Sequence, residues 1–477
     1  MLDPHATVTT VAEQIRTGQV SPVEVADFYL DRIARLDGAV NAIVWLDEDA
    51  VRSAAARAAD AVARREPLGP LHGVPIPIKD LHSCAGQPNT MSSLAIEERV
   101  ETESDPDVAA LLDAGAIPLG RSNSPEFGAL TVTENLRHGV TRNPWRLDLT
   151  SGGSSGGASA AVAAGLAPAA HASDGGGSIR VPASVTGLIG LKPSRGRVRA
   201  LVRGWEHSTT EGAITRTVAD TALFLDVMSG FDALSWYNAP APERPFSAEV
   251  GVEPGRLRVG LLLDAPTGMP VDDACREAAL TLARVLEAAG HDVVPVQPYL
   301  FDADTFRAFA EVVISASTWA LPLDDPAKVD GYIARRRRVA ESVHAGQYAE
   351  VAARLQLETR RVAAQWGRDY DVLLTPTTAT VAPPVGLVRQ EANANPEVPR
   401  LTELRMVSFT AFCNVSGLPA ITLPAHRTAD GIPVGAQLVG GPFGDALLIR
   451  LASQVEPMLP LAGAHPADAG LLVPAAR

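Results

Sequence analysis

The residues most able to do chemistry lie between positions 150 and 192, in the run TSGGSSGGASAAVAAGLAPAAHASDGGGSIRVPASVTGLIGLK. Two Gly/Ser clusters stand there, at 152–157 and 175–178, separated by an Ala-rich stretch. Glycine at this density makes either a flexible linker or a backbone that can approach a ligand closely. The flanks are apolar and helix-forming (158–166) or apolar and patterned (181–191), which favours the second use. A helix opening after the first cluster would aim unpaired N–H groups at an anion or a developing negative charge. No Lys follows those glycines and no G-x-G-x-x-G opens a βαβ unit, so neither phosphate-binding pattern is present. In the second cluster the N–H groups of Gly175, Gly176, Gly177 and Ser178 could converge on one oxygen, as an oxyanion hole requires.

A serine nucleophile needs a base. His171 is the nearest histidine upstream, but a lone His among small residues is more often a packing residue. Val74-Pro75-Ile76-Pro77-Ile78-Lys79-Asp80 offers another base, because a Lys in apolar surroundings loses its charged form to desolvation and can accept a proton near pH 7. Taken alone, Lys79 reads more readily as a surface residue at a strand end than as a base.

Together the three elements resemble the amidase signature family of Ser-cisSer-Lys hydrolases. The matching words are G-V-P-I-x-I-K-D at 73–80, G-G-S-S-G-G at 152–157 and D-x-G-G-S-I-R-x-P at 174–182, and their separations also agree with that family. The resemblance implies Ser178 as nucleophile, Ser154 after a cis peptide bond as the bridging serine, and Lys79 as general base. It implies Ser155 and Asp174 as supports of the loops and Arg180 as a structural partner for Asp174. The fold implied is α/β, a large mixed central sheet covered by helices on both faces. Asp174-Gly175-Gly176-Gly177-Ser178-Ile179-Arg180 resembles the 6-aminohexanoate-cyclic-dimer hydrolase and broad amidase branch. That implies linear, cyclic or aryl carboxamides as substrates, with 6-aminohexanoate oligomers, esters and carbamates as candidates. Gly175 removes a side chain beside the oxyanion loop, which predicts a widened cleft. The alternative is the A subunit of a glutamine-dependent tRNA amidotransferase, which the acidic balance disfavours.

The 477 residues carry a net formal charge of -14 with 20% charged residues, against a nucleic-acid surface, which needs clustered Lys and Arg. The four arginines 335–338 read as a solvated helix face. Cys84, Cys275 and Cys413 are few and far apart, and no His/Cys/carboxylate cluster has zinc spacing, so no disulfide framework, metal or cofactor is expected. Neither a leader peptide nor an 18-residue apolar run is read from the sequence, which gives a cytoplasmic enzyme with no membrane partner. Its partner is a small amide substrate, and a homodimer is compatible with the sequence.

The elements that must position these residues follow in order. No linker divides the chain, so 1–477 reads as a single domain: an N-terminal helical segment (1–70), the catalytic core (71–230), a variable helical insertion (231–370) and the C-terminal part of the core (371–477). Ser21-Pro22-Val23-Glu24 is a capping box for a helix to about Leu36, and an Ala/Arg-rich helix spans 48–65. Strands are expected at 74–79, 117–120, 257–263, 292–296, 371–377, 420–423 and 434–439, and helices at 106–114, 217–228 and 272–289. Ser122 to Phe127 reads as a further helix start. Two segments are candidates for the pocket: 200–210, with Trp205, Glu206 and His207, and the helical region 301–366.

Overall fold

The computed structural model describes residues 2–394 and 400–471. Eight strands form one mixed sheet, in the spatial order Asp292–Pro295, Arg258–Leu261, Val372–Pro376, Pro433–Gly440, Ala420–Arg427, Ile189–Lys192, Thr210–Thr215, Ala170–Asp174. The first three run parallel, and the helix Asp273–Ala288 connects Arg258–Leu261 to Asp292–Pro295, as expected of a βαβ unit. Every other neighbouring pair is antiparallel.

Helices cover both faces, and side-chain alternation along the strands decides which. Ala170, Ala172 and Ile214 point to one face, against the helices Gly156–Ala163 and Arg180–Thr186. Ala213, Ile421, Leu423 and Leu438 join the other core with Leu225, Leu282 and Leu451 from three further helices. His171 and Ser173 alternate with Ala170 and Ala172 and so face the second side, where the strand Pro75–Lys79 packs. That strand belongs to a separate three-stranded sheet with Ile43–Trp45 and Ile117–Ser122, outside the large sheet. Its Ile76 and Ile78 enter the core, and the alternation sends Lys79 the opposite way.

Boundaries expected from the sequence hold to within a few residues. The capping box is present, with Glu24 N donating to Ser21 Oγ at 3.1 Å and Ser21 N to Glu24 Oε2 at 2.7 Å, and its helix runs on to Val40. Two expectations change. Residues 122–127 carry only a short 3-10 turn, Glu126–Gly128, because Phe127 takes a left-handed φ of 53°. The arginine run is only partly solvated: Arg336 is 7% exposed, and Arg337 donates to the carbonyls of Thr318 and Trp319 that end the preceding helix. Cys84, Cys275 and Cys413 are free and buried, as packing residues are. Among the described residues no helix is long and apolar enough to cross a membrane.

Candidate active site

Three chain segments bring the expected residues together. Lys79 ends its strand fully buried, and its Nζ lies 2.8 Å from Ser154 Oγ, 2.8 Å from Ser155 Oγ and 3.1 Å from Ser173 Oγ. Burial pushes the Lys79 amine down to about 7, against the opposing pull of Asp174 and Glu211. An amine at that value is neutral for much of the time at neutral pH and can take a proton from a hydroxyl.

Ser154 and Ser155 precede the helix Gly156–Ala163, and the Gly153-Ser154 peptide is cis. Gly153 lies flat on the backbone of Thr131 and Val132, where a Cβ would approach to 2.7 Å. Thr133 Oγ1 ties the same turn on two sides, donating to Gly152 O at 3.0 Å and accepting from Gly156 N at 3.0 Å. Ser155 joins the serine loop to the second cluster, its N–H donating to Ser178 O at 3.2 Å and its hydroxyl to Ser173 O at 3.1 Å.

Ser178 sits in the turn between the strand Ala170–Asp174 and the helix Arg180–Thr186, and it is half-buried where Lys79 and Ser154 are buried. Among the described residues no backbone acceptor takes the N–H of Gly175, Gly176 or Ser178. The N–H of Gly177 departs from the expected set: it donates to Asp174 Oδ1 at 2.7 Å. That bond shapes the turn and leaves the N–H groups of Gly175, Gly176 and Ser178 as its donors without an acceptor among the described residues.

Asp174 and Arg180 hold this turn from beneath. Arg180 Nε and Nη2 each donate to the Asp174 carboxylate at 3.0 Å, and its remaining N–H groups reach Gln437 Oε1 (2.7 Å), Asn414 Oδ1 (2.6 Å) and Thr410 O (3.1 Å). Burial alone would raise Asp174, but the Arg180 guanidinium holds it well below the usual carboxylate range. Asn414 Nδ2 adds bonds to Asp174 Oδ1 (2.8 Å) and to the carbonyls of Asp174 (2.9 Å) and Ser208 (3.1 Å). Thr410 Oγ1 donates to Gly176 O at 2.7 Å.

Several of these partners escape sequence reasoning. Ser173 is signalled only by its place before Asp174; Thr410, Asn414 and Gln437 come from the far end of the chain. His171 is a packing residue after all, but one that touches the lysine. Its Nδ1 accepts from Lys79 N at 3.4 Å and its Nε2 faces Asp107 Oδ2 at 2.7 Å, while Arg121 Nη2 donates to Lys79 O at 3.0 Å. Both backbone polar groups of Lys79 are thus gripped by buried side chains. Burial, partly offset by Asp107, pushes His171 down to about 4, so its ring is neutral. His82, Asp107 and His171 form a cluster that chain spacing cannot reveal. Glu211 lies opposite Ser173 in the sheet, and burial, with Asp107 adding to it, pushes its carboxyl up to about 8.

The expected widening beside Gly175 is not found. The indole of Trp205 occupies the space, with Cζ3 2.8 Å from where a Gly175 Cβ would stand.

The sequence profile described as Amidase matches residues 24–449. A 6-aminohexanoate-cyclic-dimer hydrolase from a Pseudomonas strain is 34% identical, the alignment covering 96% of this chain and 96% of that protein. An acylamidase from Rhodococcus erythropolis is 35% identical over 96% of this chain and 97% of its own length. A solved structure of a 6-aminohexanoate cyclic dimer hydrolase superposes with a TM-score of 0.92 at 31% identity, covering 99% of this chain and all of that one.

Proposed function

The chain belongs to the amidase family and is a hydrolase of amide C–N bonds, and on that footing we propose that it works through an ester on Ser178. Ser178 Oγ attacks the amide carbonyl carbon. Its proton passes to Ser154 Oγ, whose own proton passes to neutral Lys79 Nζ. The carbonyl oxygen, now negative, is received by the N–H groups of Gly175, Gly176 and Ser178. Collapse breaks the C–N bond, and the proton held by Lys79 returns through Ser154 to the leaving nitrogen. Water then cleaves the ester by the same relay, releasing the carboxylic acid and regenerating Ser178. The observation that carries this reading is the buried Lys79 amine 2.8 Å from the hydroxyl of Ser154. The substrate range we infer is linear, cyclic and aryl carboxamides, 6-aminohexanoate oligomers among them; the names of the relatives given above support amide cleavage and the cyclic member of this range.

A fluorophosphonate probe should add its mass to a single tryptic peptide, the one containing Ser178, and the label should vanish in Ser178→Ala. Labelling elsewhere, or none with the probe active on a control hydrolase, would overturn the assignment of the nucleophile.

The relay also fixes the sign of the pH dependence. A protonated Lys79 has no lone pair, so kcat/KM on p-nitroacetanilide should rise with pH and level off above a midpoint near the amine's value of about 7. A profile flat from about pH 5.5 to about 8.5 would remove Lys79 from the role of base.

A further inference from the structure

The loop before Ser178 is bare at one residue and covered at the next. A side-chain carbon on Gly176 would meet nothing within 4 Å, whereas one on Gly175 would stand 2.8 Å from Cζ3 and 2.9 Å from Cε3 of Trp205. Carbon atoms prefer about 3.5 to 4.0 Å, so the indole and a Cβ at position 175 exclude each other. Gly175 is not among the residues with positive φ, so the ring, not the backbone, sets this demand for glycine.

The indole is held there by an unusual turn. Trp205, Glu206 and His207 have φ values of 52°, 50° and 62°, three successive residues in the left-handed region that L-amino acids avoid. Such a turn persists only where its surroundings fix it. Here Arg195 Nε donates to His207 O at 2.8 Å, and Tyr348 OH donates to Glu206 Oε2 at 2.8 Å. Arg195 Nη2 also donates to Asn414 O at 3.0 Å, the residue whose side chain binds Asp174. The turn and the Ser178 loop are therefore tied to one support. Trp205 is half-buried, packed on one side against the core that includes Phe309, Leu355 and Phe412.

We propose that Trp205 is a specificity-determining residue, a rigid wall beside Gly175 that limits bulk on the atoms flanking the scissile bond. Amides with unbranched methylene or flat groups at those atoms pass it; amides branched there do not. The proposal rests on the reading of Ser178 as nucleophile with its oxyanion donors at 175, 176 and 178.

The test compares kcat/KM for matched pairs, butyryl against pivaloyl p-nitroanilide and N-butyl against N-tert-butyl hexanamide, in the wild type, Trp205→Ala, Trp205→Phe, Gly175→Ala and the double variant Trp205→Ala/Gly175→Ala. The linear-to-branched ratio should fall about tenfold or more in Trp205→Ala and by less in Trp205→Phe in at least one series. Gly175→Ala should lose about tenfold or more alone and distinctly less when Trp205 is already alanine. A ratio within about twofold of wild type in both series, or an equal Gly175→Ala loss in both backgrounds, overturns the proposal. Fluorophosphonate labelling of Ser178 in each variant separates the two readings: a labelled enzyme with unchanged ratios sinks the Trp205 wall alone, and an unlabelled wild type sinks both.

Discussion

Lys79→Met should lower kcat/KM by about 10³- to 10⁴-fold and leave the protein folded. The loss follows from the proposed relay, in which without Nζ the Ser154 hydroxyl has no acceptor for its proton, and groups that act as one unit fail together. Folding should survive although the hydroxyls of Ser154, Ser155 and Ser173 lose a shared partner at this buried site, because Ser155 Oγ still donates to Ser173 O. An ammonium is costly there, and methionine fills a similar volume with no charge to desolvate. The sign can be worked out. Lys79 titrates near 7 in the folded chain and near 10.5 when unfolded, so between those values the native state gives up a proton that the unfolded chain keeps. Removing the amine relieves that cost, and the urea midpoint of the variant at pH 7 should equal or exceed that of the wild type. Lys79→Arg completes the test. Arginine keeps the charge but does not deprotonate in this range, so it should be as inactive as methionine. Turnover within about tenfold of wild type in either variant would exclude Lys79 as the base, and a residual rate that kept the midpoint near 7 would point to another titrating group.

How much of this was legible in the sequence depends on whether the partners were neighbours in the chain. Lys79, Ser154, Ser155, Asp174 and Ser178 announce themselves because each stands in a short word whose glycines or apolar residues have a local reason. Five strands of the large sheet, the strands Pro75–Lys79 and Ile117–Ser122, and most of the longer helices were legible for the same reason, since alternation and caps are local signals, whereas Ala170–Asp174, Ile189–Lys192 and Thr210–Thr215, short and rich in small or polar residues, were not read as strands. Asn414 and Gln437 carry no such signal. They reach Arg180 only because the strand Pro433–Gly440 and the helix Ala411–Ser416 are brought over the Arg180 helix by the sheet order, which no local pattern encodes. His171 and Asp107 pair across two packed elements, and each alone looks like an ordinary core or helix residue. Gly175 was misread for a related reason. The absence of a side chain was visible, but the ring that fills the space comes from a left-handed turn about thirty residues on, which the words Trp205-Glu206-His207 do not foretell.

Arg180→Met should cost about 3–5 kcal/mol of stability and slow labelling of Ser178 at the same time. The guanidinium and the Asp174 carboxylate are both fully buried, with the whole set of Arg180 N–H groups engaged. Methionine leaves an ionised carboxylate without its counter-charge, and strands Gln437 Oε1 and Asn414 Oδ1 as well. The same carboxylate accepts the N–H of Gly177 at 2.7 Å and of Ile179 at 3.1 Å, the two residues that bracket Ser178. A carboxylate pushed to seek water therefore carries the Ser178 turn with it, which couples stability to the reactivity of that serine. Asp174→Asn in the Arg180→Met background distinguishes this from a simple loss of packing. Neutralising the orphaned carboxylate should recover part of the stability lost, so the double variant should cost clearly less than the sum of the singles in a double-mutant cycle. Acid should erode the pair with a definite sign. Asp174 titrates lower in the folded chain than unfolded, so its contribution is complete above the ordinary carboxylate value and fades as pH falls through the folded one. The difference in stability between wild type and Arg180→Met should accordingly be largest at neutral pH and shrink in acid. A difference under about 1 kcal/mol at pH 7, or strict additivity in the cycle, would mean that the turn is held by its backbone and by Thr410 and Asn414, with the ion pair a passenger.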